Sequence, residues 1–187
     1  MACNLTKGRQ IACRDSIGGV KNIYLAQHDE LTSYVAASGS LTDFDMGGGD
    51  DIYRYQCKRG TASVTETVNA NSENGTVFYT PSINIKLHKL TTADQNEIKL
   101  LAAQRLIIFV ELNELNSAGK NVIVACGLDN GCELSAGSHT SGAGLGDLNG
   151  YDWTFESQEP SPMQTVADYT STPLDNSAFT FNSIVTG

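Results

Sequence analysis

The residues of this chain best suited to chemistry are three histidines, His28, His88 and His139, and five cysteines, Cys3, Cys13, Cys57, Cys126 and Cys132. Nucleophilic catalysis needs a thiol or hydroxyl beside a base, and a structural zinc needs four converging ligands, two close pairs as a rule. Cys126 and Cys132 enclose Gly127-Leu128-Asp129-Asn130-Gly131, which reads as a hairpin tip, and His139 follows, but there is no second close pair. That spacing predicts near-neighbour thiols in buried or half-buried positions, with Cys3 and Cys13 likewise serving as small apolar residues. His28 falls in a loop, His88 on the wet face of a strand, and His139 in a Ser/Thr/Gly loop. No nucleophile elbow and no HExxH is present, and Asp50-Asp51 and Asp43-x-Asp45 read as turn acids. The residues therefore predict no catalytic, cofactor-binding or metal site, and no enzyme.

The glycine-dense stretch "SGAGLGDLNG", residues 141–150, raises the separate question of a phosphate cradle. Such a loop needs backbone N–H groups at a helix start and, in its nucleotide-binding form, a lysine followed by serine or threonine. This one has no Lys or Arg, lacks the dinucleotide spacing, and runs into an aromatic strand, so that an anion would meet Asp147. The glycines read as turns at a crowded position.

The elements that must position these residues are mostly strands. "RQIACRD", "SIGG" and "VKNIYLAQ" read as a β-hairpin, and "HDELTSYVAASGSLTDFDMGGGDD" as a loop or weak edge strand. From Asp51 on, Tyr53, Tyr55 and Cys57 alternate with Arg54, Gln56 and Lys58, and Ile83, Ile85 and Leu87 with Asn84, Lys86 and His88. Period-two alternation marks strands with one dry and one wet face, and Glu73-Asn74-Gly75 turns one hairpin. "TTADQNEIKLLAAQ" predicts a single helix over about residues 92–104, capped by Thr92 with Gln95 completing a capping box, and docked through Ile98, Leu101 and Ala102. "RLIIFVELNEL" reads as a more buried strand, "SAGK" as the turn into "NVIVACG", and Tyr151, Trp153 and Phe155 as core residues of a further strand. A last strand is expected around "AFTFNSIV".

With 187 residues the chain suits one domain. The longest apolar run, Leu106 to Val110, has strand length, and the polar start "MACNLTKGRQIACRD" predicts folding in a cytoplasm with free thiols. All 12 Lys and Arg lie at or before Lys120, and the eight acidic residues beyond it supply most of the net charge of -9. This balance argues against a tight nucleic-acid grip, which requires basic patches. It leaves open a surface past which nucleic acid slides.

The order of a long two-faced sheet, "TTADQNEIKLLAAQ", "RLIIFVELNEL" and "NVIVACGLDNGCELSAGSHTSGAGLGDLNGYDWTFESQEPSPMQTV" resembles the major tail tube proteins of tailed bacteriophages, over roughly Ala12 to Val166. The resemblance implies a mainly β fold, an antiparallel β-sandwich or barrel with one flanking α-helix. It implies one tail-tube-like β domain over residues 1–187, with a C-terminal extension over about 167–187. It further implies a homohexameric ring, stacking of rings into a hollow conduit for genome delivery, and location in the virion tail after synthesis in the bacterial host cytoplasm. Partners would be other copies of the chain, further tail proteins (terminator, tape measure, baseplate or sheath) and DNA in transient passage, with no membrane and no cofactor. The type VI secretion tube protein is similar in architecture. A lumen lined by strands of the Asp51 to Leu90 region is expected by analogy, although Arg54, Lys58, Arg59, Lys86 and Lys89 complicate simple repulsion of DNA. The readings left open are another virion component, such as a head-tail completion or capsid decoration protein, a β-sandwich ligand-binding module, and a small enzyme.

Overall fold

The computed structural model describes residues 7–10, 16–47 and 49–186. It is mainly β, with two sheets and one helix. The central strand β7 (Leu106–Leu115) explains the architecture. Its residues Leu106 to Val110 are all at most 2% exposed, and they alternate between two separate cores. Leu106, Ile108 and Val110 face one core, Ile107 and Phe109 the other. An uninterrupted apolar run is what a strand dry on both faces requires.

On either side of β7 lie β1 (Val20–Gln27) and β8 (Asn121–Cys126), both antiparallel to it. Beyond β1 comes β4 (Ile52–Gln56), and beyond β8 come β11 (Gln164–Val166) and β3 (Ser40–Asp45), the latter carrying β2 (Ser33–Ala37). The path ends in β12 (Phe179–Thr180) on β3 and β13 (Ile184–Thr186) on β4, both parallel pairings. Only Phe181, Asn182 and Ser183 separate these two strands, so one short segment touches both ends of the sheet and closes it as a barrel. Phe44 and Ile52, paired with Phe179 and Ile184, are fully buried inside. Residues 167–186 thus belong to the barrel, with Tyr169 and Leu174 in its core.

The second sheet runs β5 (Ala62–Asn71), β6 (Thr76–His88), β10 (Gly150–Glu156), β9 (Glu133–Thr140), antiparallel throughout. It packs on the outside of the barrel through Ile83, Ile85, Tyr151, Trp153 and Phe155, which meet Ile23, Leu25 and Ile108. Helix α1 (Thr92–Leu101) covers the end of this core with Leu101 and Ile98. No helix among the described residues is long and apolar enough to cross a membrane.

Several expectations are corrected. Of the two readings for the segment after His28, the loop is corrected and the edge strand is found as β2: a 3-10 turn at His28–Glu30 leads into the β2–β3 hairpin, whose two-residue turn places Ser38 at φ 55° and Gly39 at φ 84°. Positive φ at both positions is the turn that matches strand twist. Its alternation is hidden because the pairing steps from Val35↔Asp43 to Ala36↔Leu41, leaving Thr42 as a bulge. The extra residue puts Leu41 and Phe44, three apart, on the same buried side. The proposed hairpin before β1 has most of its first arm outside the described residues, and β1 itself is flanked on both edges by β4 and β7. The helix cap is Thr91, whose Oγ1 accepts from the Asp94 amide at 3.1 Å. The Thr91 hydroxyl in turn donates to Asp94 Oδ2 at 2.6 Å, so cap and first-turn acid hold each other. The helix stops at Leu101, leaving Ala102 an exposed C-cap. Finally, Gly127 to Gly131 is a crossover from the barrel to the second sheet, because β8 and β9 lie in different sheets.

Candidate functional site

The chemistry-bearing residues singled out in the sequence are scattered. His28 Nε2 lies 3.2 Å from the carbonyl oxygen of Asp129, His88 is exposed at the end of β6, and His139 stands on β9 beside Tyr151 with ring centroids 6.3 Å apart. Among the described residues no group of three or more His, Cys, Asp and Glu could hold a metal ion. Cys126 and Cys132 are 2% and 0% exposed, and burial pushes both thiols well up from their ordinary value. Burial also pushes the half-buried Cys57 thiol up to about 11. Buried, protonated thiols of this kind are poor nucleophiles. Cys3 and Cys13 lie outside the described residues.

The glycine-rich loop has its amides occupied from within. The N–H groups of Ala143 and Gly144 donate to Asp147 Oδ2 at 3.0 and 2.7 Å. These hydrogen bonds, that from Gly144 first, hold the Asp147 carboxyl below the usual carboxylate range. The loop folds around its own anion. Tyr151, Trp153 and Phe155, at 0%, 3% and 1% exposure, form core and offer no aromatic platform for a glycan.

What the fold does assemble is a basic groove of about 760 Å³ between β4, the end of β6 and α1. Arg54, Lys58, Lys86 and Lys89 line it, while Arg59 falls outside. Asp94 and Glu97 stand on the helical wall, and Lys86 also pairs with Asp152 at 3.1 Å. Burial, then the Glu97 and Asp94 carboxylates, push the Tyr55 hydroxyl up to about 12. The convergence of cations on an acidic chain arises because the loop from β4 to β5 brings Lys58 beside Lys86, whose amide donates to the Thr61 carbonyl at 2.7 Å.

The second sheet presents the other unusual surface. Strand β10 covers β6 only from Ser82 to His88, so the β5–β6 hairpin projects beyond it as an arm, with a single further bridge from Tyr79 to Glu159. Val64↔Ile83, Glu66↔Pro81, Val68↔Tyr79 and Ala70↔Val77 succeed one another on one face of this arm. That face begins in the core and runs out of it: Ile83 is fully buried, whereas Val68 and Val77 are 57% and 55% exposed. The outer edges of β5 and β9 carry no strand among the described residues.

Two buried carboxylates escaped the sequence reading. Glu159, 5% exposed, accepts the amides of Asp129 and Asn130 at 2.9 and 3.2 Å and also receives the Ser157 hydroxyl, so it ties down the inter-sheet crossover. Glu111, 0% exposed, accepts from Asn22 Nδ2 at 2.6 Å and the Tyr24 hydroxyl at 2.9 Å. Lys21 Nζ stands 2.9 Å from its other oxygen, an ion pair outside hydrogen-bond alignment. The available signal for Glu111 was its place in a strand otherwise apolar from Leu106 to Leu112. On β4 the face that carries Arg54 and Gln56 also carries Ile52: Ile52 is buried in the barrel core, Arg54 is half-buried and Gln56 is exposed.

No protein-family model matches the chain, and no curated protein or solved structure matches it.

Proposed function

We propose that this protein is a structural subunit of a bacteriophage tail tube, assembling through copies of itself into stacked rings, six to a ring, around a conduit for the genome. The observation that carries this reading is the β5–β6 arm, whose apolar face continues out of the core with Val68 and Val77 uncovered next to an open strand edge. A lone protein gains nothing from exposing such a face, and an unprotected edge invites pairing with another chain. A second copy covering both, through a head-to-tail contact that closes, gives a ring. The mainly β architecture with one flanking helix supports the reading. Location in the virion tail, contacts with terminator, tape measure, baseplate or sheath proteins, and passage of DNA follow from the same proposal.

The test is negative-stain electron microscopy of the concentrated protein alongside its size-exclusion mass. Hollow rings or tubes of uniform width are the expected outcome. A strict monomer at every concentration, including after mixing with the other tail proteins, rejects the proposal.

A further inference from the structure

Seen from its interior, the barrel ends in two polar rows across β4, β1 and β7. Gln56, Asn22 and Glu111 form one through the pairings Asn22↔Gln56 and Asn22↔Glu111. The row beneath it aligns Arg54 with Tyr24 and Phe109. The polar members of these rows, Gln56, Asn22, Glu111, Arg54 and Tyr24, line an open cavity of about 580 Å³ at the barrel mouth together with Lys21 and Lys58, while Phe109 lies below it in the core. A volume of that size holds a small organic ligand, and barrel mouths are common places for one.

The charges within it are not equally engaged. Glu111 is compensated by Asn22, Tyr24 and Lys21. Lys21 in turn also donates to Asn121 Oδ1 at 2.8 Å. Two atoms of the lining are buried without a hydrogen-bond partner, Arg54 Nε and Glu111 Oε1; Lys21 stands against the second, whereas among the described residues the Arg54 guanidinium makes no ion pair. Burying a donor of a charged group unpaired is unfavourable, and arginine presents a planar fork suited to oxyanions. Three cations against one carboxylate leave the mouth positive on a chain whose net charge is -9.

We infer that the barrel mouth is a binding site for a small oxyanion, carried by a phosphate monoester or a carboxylic acid, with Arg54 receiving the anionic oxygens and Lys58 closing the rim. The Glu111, Asn22 and Tyr24 cluster holds the wall in place and leaves Arg54 beside it without an acceptor. The site is separate from the arm and stands whether or not the protein forms rings.

The experiment is thermal unfolding of the full chain titrated with inorganic phosphate and, separately, acetate, at ionic strength held constant with NaCl so that general screening cancels. At about ten times its Kd, a single bound anion raises Tm by about 4 °C for a chain of this size. Arg54→Gln is expected to weaken the apparent affinity at least about tenfold, the loss of a charge-assisted pair. Should that variant fail to fold, the exposed Lys58→Gln replaces it, with a loss of about threefold. Lys99→Gln, on the helix, keeps the wild-type response. Saturation by phosphate alone identifies a phosphate-bearing ligand, and saturation by both anions a carboxylate-tolerant one, each supporting the site. No saturable shift with either anion overturns the assignment, as does an undiminished shift in the Arg54 or Lys58 variant.

Discussion

Gly150 faces the carbonyl oxygen of Leu87 so closely that a Cβ on it would stand 1.9 Å from that oxygen. The pair joins the start of β10 to the end of β6, where Gly150 lies opposite His88. Gly150→Ala cannot be relieved by a side-chain rotation, because the obstacle is backbone. The two strands must part. We expect a loss of at least about 3 kcal/mol, the upper end of overpacking effects, read from urea denaturation followed by circular dichroism. Gly146→Ala, where a Cβ meets nothing within 4 Å, is the matched control.

Glu111 is the second point of sensitivity. Removing it leaves the buried Tyr24 hydroxyl and the Asn22 amide without their acceptor, while the half-exposed Lys21 keeps Asn121 and water. A buried donor left unsatisfied costs about 1–3 kcal/mol. Glu111→Ala should lose at least about 2 kcal/mol by chemical denaturation, while Glu133→Ala, exposed on β9, should stay within about 0.5 kcal/mol of the parent.

What the sequence made legible follows the periodicity of its residues. The run from Leu106 to Val110 announced a buried strand, which proves dry on both faces, and Tyr151, Trp153 and Phe155 announced a core face, because their patterns are uninterrupted. The β2–β3 hairpin was hidden by one bulged residue, Thr42, which breaks the parity that the pattern depends on. Barrel closure was hidden for another reason: Phe179 and Ile184 pair with strands more than a hundred residues earlier, and no local signal encodes partners so distant. The same holds for the basic groove and the barrel mouth. Arg54, Lys58, Lys86 and Glu111 are ordinary residues of alternating or apolar strands until the β4–β5 connection and the β1, β4 and β7 pairings bring them together.

Acid sensitivity should arise in part at Asp152. The Asn84 amide, at 2.8 Å, and then Lys86 hold its carboxyl below the usual range. A group with a depressed folded-state value stabilises the fold above its unfolded pKa of about 3.9, and that contribution disappears as the pH falls through the lower folded value. Asp147 and Asp175 shift in the same direction, each through hydrogen bonds to its own loop. Asp152→Asn should therefore flatten the decline of the urea midpoint below pH about 4, by no more than about 1 kcal/mol for so exposed a pair.

Thiol labelling tests the described cysteines. With its value raised to about 11, Cys57 favours the folded state as a protonated thiol below its unfolded pKa, and this contribution is lost as the pH rises through about 11. At pH about 8 its thiolate fraction is roughly a thousandth, against about a quarter for a free thiol, so alkylation by iodoacetamide should be at least about a hundredfold slower. Cys126 and Cys132 should label only on unfolding. Peptide mass spectrometry separates the sites, and fast labelling of Cys132 in the folded protein would contradict its burial beside Leu106.

The arm offers the sharpest separation of folding from assembly. Val68 and Val77 lie on a face that leaves the core, so a charge placed there disturbs only the cross-strand neighbours Tyr79 and Ala70 within the subunit. Val68→Asp combined with Val77→Asp is expected to cost about 1 kcal/mol per site, the span of strand propensity. If a second copy covers this face, the same change buries carboxylates against apolar surface at every contact, and association should fall by at least two orders of magnitude. Analytical ultracentrifugation and negative-stain images of the double variant measure that loss. A variant that keeps its fold and assembles as well as the parent would show that the arm's apolar face lies outside the contact, and would remove the observation on which the proposed ring rests.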